Sequence, residues 1–466
     1  MKFLRFILFF LLAAIVSLSG LLTPMYKGDV VEAIAPRSTL IAAEPALPPA
    51  SRLNLKQLVQ ALDRGDIAGA VRQVELGWKQ QFEDYYQGKL TSQLVEADEI
   101  AQILGRVHRQ TGKKPALIYA IPTPNHLELI LLTPGTPVHR RITAANREAL
   151  SQVVQTFRTR VVNRLSKPTQ YLADAQQLYQ WMIAPLEPDL RAQQIDTLIF
   201  CLGTGLRSAP LAALHDGQQF LVEKYSLGII PAFNLLDRRP ANLQGARILA
   251  MGASEFRNQA PLPAVPIELS AIASRLWKGQ FFLNQEFTLA NLKAQRAAYP
   301  FEIVHLATHA EFLPGSVEES YIQFWDTRLR PNHFQELDLR FPAVQLLVLS
   351  ACRTALGNPQ AELGFAGLAV QSGSQSAIAS LWSVSDAGTL VLMTKFYSQL
   401  KTAPIKAEAL RQAQIAMLKG QVNLSNTPAI GTRDSSPLPP ELENFKSANL
   451  SHPYYWAAFT LIGNPW

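Results

Sequence analysis

Strand-length apolar runs alternate with helical patterns through residues 197–418, and this alternation limits the fold more than any other feature of the chain. Strands joined through helices form parallel pairs, because the helix carries the chain back to the end of the sheet where the previous strand began. The sequence therefore predicts an α/β fold with a mainly parallel sheet flanked by helices. The predicted strands are 197–202, 247–251, 303–307, 346–349 and 377–381, and the predicted helices are 267–277, 365–371, 389–400 and 407–418.

The segments on either side of this region extend the same fold. Apolar runs at 116–121 and 127–132 flank the turn residues Pro122-Thr-Pro-Asn125, a pattern that predicts a β-hairpin. The other predicted elements are helices at 147–165 and 173–183, a surface loop at 420–451 and a last strand at 454–463.

A short helical region is predicted over residues 53–112, because apolar residues recur there at helical spacing in three stretches. No period of about 34 residues repeats, so a helical solenoid is not predicted. The region would form a small cap or a surface on which a partner docks.

The N-terminus has the pattern of an export leader. Lys2 and Arg5 precede the uncharged segment 6–22, whose length of about 17 residues lies between a secretory apolar region and a spanning helix. Residues 1–22 are therefore predicted to be a signal peptide or an uncleaved membrane anchor, and the Pro- and Ala-rich residues 23–52 a linker. The protein would be exported, periplasmic or secreted, and would meet a membrane only if the leader is retained.

The composition excludes several classes of protein. Hydrophobic residues make up 48% of the 466 residues and charged residues 17%, which excludes disorder for most of the chain. The net charge of +7 is spread without a Lys/Arg cluster, so a nucleic-acid partner is not predicted, and binding to other anionic polymers ranks last.

No metal or cofactor is predicted. Cys201 and Cys352 are the two cysteines, too few for a disulfide framework or a zinc site. His305 and His309 have the spacing of an H-E-x-x-H motif, but Leu306 stands where that motif needs glutamate. Residues 203–205, Gly-Thr-Gly, lack the spacing of a phosphate-binding loop and are predicted to form a turn.

His309 and Cys352 each close an apolar, strand-like run. If both strands are parallel members of one sheet, the two residues emerge at the same carboxyl edge, where α/β sheets bind their ligands. A thiol beside an imidazole can attack a carbonyl, and Arg353 next to Cys352 would favour the thiolate. The pattern predicts a nucleophile and its general base, and the alternative is a buried cysteine that packs as a small hydrophobe.

The neighbouring candidates have open roles. His305 precedes His309 by four residues, so on a regular strand both would face one side, and His305 is assigned a second-shell or core role. The residues that could orient the imidazole are Glu311, Glu318 and Asp326, and the sequence does not distinguish them. Asp386 precedes a predicted helix, where it would be an N-cap or a charge at the bottom of a specificity pocket.

Several ordered stretches resemble the CHAT-domain family, a branch of the caspase-like cysteine peptidases that also includes separase. The resemblance covers roughly residues 113–466, and this range is therefore predicted to form one CHAT domain. The matching stretches are 211–217 (LAALHDG), Leu262-Pro263 with Glu268-Leu269, 304–310 (VHLATHA), 349–355 (LSACRTA), 362–368 (ELGFAGL), 380–386 (SLWSVSD), 409–413 (ALRQA) and 451–459 (SHPYYWAAF).

This resemblance implies a caspase-like fold, a His309–Cys352 dyad and a protein or peptide as substrate. The backbone N–H groups of Cys352 and Ala310 would form the oxyanion hole, although caspases usually have glycine at the Ala310 position, and alanine resists a positive φ. The stretch from Trp382 to Asp386 is similar to the separase segment that shapes the pocket for the residue before the cut. Separase-like enzymes take a basic residue there, which an acidic pocket residue suits, so the resemblance implies cleavage after Arg or Lys.

The sequence supports two functions, one enzymatic and one non-catalytic. The first is an exported cysteine endopeptidase that uses His309 and Cys352. The alternative is a catalytically silent, caspase-like scaffold or protein-interaction module that keeps the fold but blocks access to the dyad.

Overall fold

The computed structural model describes residues 53–90, 92, 94–239, 243–315, 317–354, 358–427 and 438–466, with the side chains of 351–354 outside the description. The predicted leader (1–22) and linker (23–52) lie outside the described residues. Within the described segments, no helix combines the length and the apolar character that a membrane span requires.

In the described part of the chain, thirteen strands form one sheet. They are β1 (Pro115–Pro122), β2 (Leu127–Leu132), β3 (Val138–Ile142), β4 (Thr197–Leu202), β5 (Ser226–Ile230), β6 (Arg247–Gly252), β7 (Lys278–Leu283), β8 (Ile303–Phe312), β9 (Tyr321–Gln323), β10 (Arg328–Leu329), β11 (Leu346–Thr354), β12 (Ser376–Ser380) and β13 (Phe459–Gly463).

Helices flank the sheet and connect several of its strands. They are α1 (Leu55–Asp63), α2 (Ile67–Tyr86), α3 (Ala97–Thr111), α4 (Arg147–Val162), α5 (Pro168–Met182), α6 (Glu187–Ala192), α7 (Leu221–Lys224), α8 (Val265–Ser270), α9 (Leu289–Ala298), α10 (Pro359–Ala366), α11 (Leu368–Ser372), α12 (Asp386–Leu400), α13 (Lys406–Leu418), α14 (Pro440–Glu443) and α15 (Pro453–Trp456). A turn of π-helix, Ala271–Leu276, continues α8.

The sheet has two parallel halves that run in opposite directions. Its order is β10-β9-β8-β11-β12-β13-β5-β4-β1-β2-β3, and β6 joins β8 and carries β7 at its other side. In one half β7, β6, β8, β11 and β12 are parallel, and in the other half β13, β5, β4 and β1 are parallel. The antiparallel pair β12–β13 joins the halves. The predicted α/β fold with a mainly parallel sheet is confirmed.

The N-terminal helices α1–α3 pack against the sheet half that contains β1. Glu75 of α2 is fully buried and accepts hydrogen bonds from Tyr119 Oη at 2.8 Å and from the backbone N–H groups of Phe233 at 2.9 Å and Asn234 at 2.8 Å. These bonds cross from the predicted helical region into the predicted domain, so α2 is part of the same packed body. Leu76 and Leu94 stay exposed, and a partner-binding role for this region stays a prediction.

Five of the described strands were not predicted from the sequence: β3, β5, β7, β9 and β10. The predicted loop at 420–451 contains the short helix α14 within its described part. The segment predicted as the last strand, 454–463, is a strand only in part: its first residues belong to α15 (Pro453–Trp456), and β13 (Phe459–Gly463) forms the rest.

Candidate active site

β8 and β11 are neighbouring parallel strands, and they bring the backbones of His309 and Cys352 together at one edge of the sheet. Ala351 lies opposite His309, and Cys352 lies opposite Ala310. The two candidate dyad residues are therefore on adjacent strands and offset by one position. The side chain of Cys352 lies outside the described residues.

A bulge in β8 precedes His309. Leu349 pairs with Leu306, but Ala351 pairs with His309, so β8 uses one residue more than β11 over this interval. An extra residue breaks the two-residue alternation of side chains and redirects those that follow it. The four-residue spacing of His305 and His309 therefore does not place them on one face of a regular strand, which the sequence analysis had assumed.

The imidazole of His309 is half-buried and held by the loop between β6 and α8. Its Nε2 lies 2.8 Å from the backbone carbonyl of Ala260, and its ring meets the Phe256 ring edge-on with a centroid distance of 4.6 Å. A carbonyl only accepts, so Nε2 carries the proton, and the neutral ring keeps Nδ1 as an acceptor. This contact fixes which tautomer the neutral ring adopts.

Ala260 was not a candidate in the sequence analysis. The carboxylates proposed to orient the imidazole, Glu311, Glu318 and Asp326, were chosen by residue type. The observed partner of Nε2 is a main-chain oxygen, which any residue could supply. The one sequence sign of this loop was the stretch Leu262-Pro263.

His305 lies in the interior of the protein. It is fully buried, with Nδ1 3.0 Å from Tyr397 Oη and Nε2 2.9 Å from Glu268 Oε1. The contact with Glu268 has the distance of an ion pair but not the alignment of a hydrogen bond. Its assigned role behind His309 stays a prediction.

Ala310 has strands on both sides. It pairs with Cys352 of β11 and with Ile322 of β9, and it is buried. A residue inside a sheet has its backbone groups directed at the neighbouring strands. Its use as an oxyanion donor stays a prediction, and it would require the β8 end to differ from a regular ladder.

Trp382 and Asp386 follow the carboxyl end of β12, the strand next to β11. Trp382 is buried, and its Nε1 donates to the Tyr454 carbonyl at 3.0 Å. The N-cap of α12 is Ser385, whose Oγ accepts from the Gly388 N–H at 3.3 Å, and Asp386 is the first residue of the helix. Asp386 is therefore not needed as the cap of this helix.

The carboxyl of Asp386 faces the same loop that holds His309. Its Oδ2 accepts the Ala264 N–H at 2.6 Å. Burial, with a smaller contribution from the negative charge of Glu268, raises the pKa of Asp386 to about 7, against the opposing effect of the Ala264 hydrogen bond. The β6–α8 loop thus contacts both His309, through Ala260, and Asp386, through Ala264.

Known structures show a distant likeness. Two crystal structures of the Saccharomyces cerevisiae separase–securin complex match with 9% sequence identity and TM-scores of 0.47 and 0.46. The first match covers 85% of this chain and 33% of the separase chain, and the second covers 86% and 34%. The chain thus spans about a third of the length of these separase chains. A comparison with curated proteins found no match.

The comparison with protein families gives a direct match. The family model described as "CHAT domain" matches residues 172–464, which is more than half of the 466-residue chain. This segment includes β8, β11 and β12 and therefore all of the candidate site residues. The protein belongs to the CHAT-domain family.

Proposed function

We propose that the protein is a cysteine endopeptidase in which Cys352 is the nucleophile and His309 the general base. The observation that carries the proposal is the parallel pairing of β8 and β11, with Ala351 opposite His309 and Cys352 opposite Ala310. Membership in the CHAT-domain family supports a scaffold of the caspase-like peptidase type.

The contacts of His309 support its part in the reaction. With Nε2–H donating to the Ala260 carbonyl, Nδ1 of the neutral ring accepts the proton of the Cys352 thiol. The thiolate attacks the peptide carbonyl, the imidazolium protonates the leaving amine, and water then hydrolyses the thioester to release the second product. The proposed oxyanion donors are the backbone N–H groups of Cys352 and Ala310, and one such donor lowers the barrier by roughly 2 to 4 kcal/mol.

We further propose that substrates are cleaved after Arg or Lys. Asp386 supports this preference, because it lies after the strand next to Cys352 and its carboxyl is bound to the loop that also holds His309. Trp382, in the same segment, is proposed to form part of the pocket wall. A carboxylate in a pocket of low polarity recognises a cationic side chain strongly.

A peptide panel tests both parts of the proposal. The peptides differ only in the residue before the cut, which is Arg, Lys, Leu or Asp. The Arg and Lys peptides are expected to be hydrolysed much faster than the Leu peptide, and the Asp peptide most slowly. Mass spectrometry of the products locates the cut. Preference for Asp would overturn the assignment of Asp386, and failure to cut any peptide of the panel would count against the peptidase.

The selectivity is expected to depend on pH. The carboxylate of Asp386 forms as the pH rises through about 7, so its attraction for Arg should grow from about pH 6 to about pH 8. The ratio of kcat/KM for an Arg peptide to kcat/KM for the uncharged citrulline peptide should therefore rise severalfold over this range. This ratio is suitable because the pH dependence of kcat/KM reports the ionisation of groups in the free enzyme. Asp386→Asn, which keeps an acceptor for the Ala264 N–H, should give a flat ratio. A wild-type ratio that does not change with pH would contradict the role of Asp386.

Export is proposed from the N-terminal sequence alone. Lys2, Arg5 and the uncharged segment 6–22 support a leader. In a bacterial host, the full chain is expected outside the cytoplasm, and replacing Leu11 and Leu12 by Arg should retain it inside. The mass of the exported chain distinguishes a cleaved leader from a membrane anchor, and equal distribution of both chains would contradict export.

The alternative is a catalytically silent, caspase-like scaffold or protein-interaction module that keeps the same strand pairing without hydrolysing peptides. A Cys352 thiol of ordinary reactivity would favour this alternative.

A further inference from the structure

Glu362 is a buried carboxylate that has no role in the proposed mechanism. It lies in the first turn of α10 and is only 1% exposed. One carboxylate oxygen accepts the Gly205 N–H at 2.9 Å, and the other accepts the Ser208 hydroxyl at 2.7 Å. A buried carboxylate with such partners holds the backbone that carries them in place.

Two buried arginines lie near this carboxylate. Arg207 and Arg158, which are 3% and 2% exposed, both interact favourably with the charge of Glu362. Arg207 also donates to Gln81 Oε1 of α2 at 2.9 Å, and Arg158 of α4 donates from Nη2 to the carbonyl of Leu381. Guanidinium groups in the interior require a counter-charge, which Glu362 supplies.

α10 is held on its other side by aromatic residues. Tyr86 Oη of α2 donates to the Gly364 carbonyl at 3.2 Å. A side-chain carbon added at Gly364 would lie 2.7 Å from Tyr85 Oη and 2.8 Å from the ring of Phe312, three residues after His309. The helix is therefore packed too closely against α2 and the end of β8 to shift without moving them.

We propose that Glu362 is a positioning residue for the peptidase reaction. Its carboxylate joins α10, which begins at Pro359 shortly after Cys352, to Gly205 and Ser208. Its charge attracts Arg158, which donates to the carbonyl of Leu381, directly before Trp382. One buried charge thus connects the chain after the nucleophile with the segment that forms the specificity pocket. This inference rests on the proposed function of Cys352.

A matched pair of serine variants tests the inference. Ser208→Ala removes the hydroxyl that donates to Glu362, and Ser226→Ala removes a hydroxyl of β5 that donates at 2.6 Å to another buried glutamate, Glu408 of α13. Both variants lose one buried hydrogen bond to a carboxylate, so both should lower the melting temperature by similar amounts. Only Ser208→Ala is expected to lower kcat for the Arg peptide, by about tenfold or more with KM little changed, because a small misplacement of reacting groups is costly.

Glu362 itself is tested by Glu362→Gln. This variant keeps the shape and an acceptor but removes the counter-charge of Arg207 and Arg158, so it should reduce kcat more than Ser208→Ala does. If it does not fold, the serine pair carries the test alone. Equal kcat for Ser208→Ala and Ser226→Ala, or a folded Glu362→Gln enzyme with wild-type kcat, would overturn the inference.

Hydrogen exchange separates failure of this inference from failure of the proposed function. Ser208→Ala should accelerate amide exchange in residues 359–372 and 381–386, and Ser226→Ala should not. If wild-type protein hydrolyses no peptide, the peptidase proposal fails, and exchange alone decides whether Glu362 positions these segments. Unchanged exchange in Ser208→Ala would overturn the positioning whether or not the protein is an enzyme.

Discussion

Cys352→Ala is expected to reduce hydrolysis of an Arg peptide by about a thousandfold or more, because removal of the attacking group leaves only binding and oxyanion contacts. The protein should stay folded, since the change removes a single sulfur atom. The measurement is kcat/KM with the best peptide of the panel, together with a melting curve.

Cys201→Ala is the matched control for this variant. Cys201 is fully buried in β4, its Sγ lies 3.5 Å from the Pro231 carbonyl, and burial raises the pKa of its thiol well above the ordinary value. A thiol in this state is not a nucleophile. The control should therefore retain full activity. Retained turnover in Cys352→Ala, or loss of turnover in Cys201→Ala without unfolding, would refute the assignment of the nucleophile.

Glu75→Leu is expected to destabilise the protein by about 3 kcal/mol or more, because the Tyr119 hydroxyl and the N–H groups of Phe233 and Asn234 lose their acceptor in the interior. Burial raises the pKa of Glu75, against the opposing effect of the hydrogen bonds from Asn234, Phe233 and Tyr119. Urea unfolding followed by circular dichroism measures the loss.

Two further variants interpret the result for Glu75. Glu75→Gln keeps one acceptor oxygen and should recover part of the lost stability, and Glu148→Leu replaces an exposed glutamate and should change stability by less than about 1 kcal/mol. If α1–α3 were a separate attachment, Glu75→Leu would unfold them while the rest of the transition stayed unchanged. A single transition at lower urea would instead support one cooperative body.

The buried central strands could be predicted from the sequence because their apolar runs are long and bounded. β4 was predicted as 197–202 and has those bounds, and the run at 346–349 lies within β11 (Leu346–Thr354). The helix predicted at 389–400 begins three residues earlier, since Ser385 is the cap and Asp386 opens the helix. Strongly periodic segments leave little choice of structure, whereas their ends depend on local hydrogen bonds.

Four of the five strands that were missed, β3, β7, β9 and β10, lie at edges or are short, whereas β5 is central. β3 reads Val-His-Arg-Arg-Ile and β7 begins Lys-Gly-Gln, and charged or polar residues of this kind are what sheets use at edges. β5 contains Gly228, which lowers strand propensity, and it forms because strands lie on both sides of it. These strands depend on their neighbours more than on their own residues.

The candidate site was predicted by residue type and position, but not in its contacts. The sequence predicted that His309 and Cys352 each close a strand and share an edge if the two strands are parallel in one sheet. β8 and β11 are parallel neighbours, and both continue past the candidate residue, to Phe312 and Thr354. The bulge in β8 and the bond from His309 to the Ala260 carbonyl arise from tertiary pairing, and a backbone oxygen carries no residue signal. Glu362 was noted only as part of a family stretch, because nothing local marks its burial beside Arg207.

The central claim is that His309 activates the thiol of Cys352, and competitive alkylation tests it most directly. Folded protein is treated with iodoacetamide over a range of pH, and the labelling of Cys352 and Cys201 is followed by peptide mass spectrometry in wild type and His309→Ala. We predict that Cys352 reacts with a midpoint well below the ordinary thiol pKa of about 8.5, that Cys201 stays unlabelled, and that His309→Ala returns the midpoint of Cys352 towards that ordinary value. A midpoint near the ordinary value in wild type, unchanged by His309→Ala, would contradict the account.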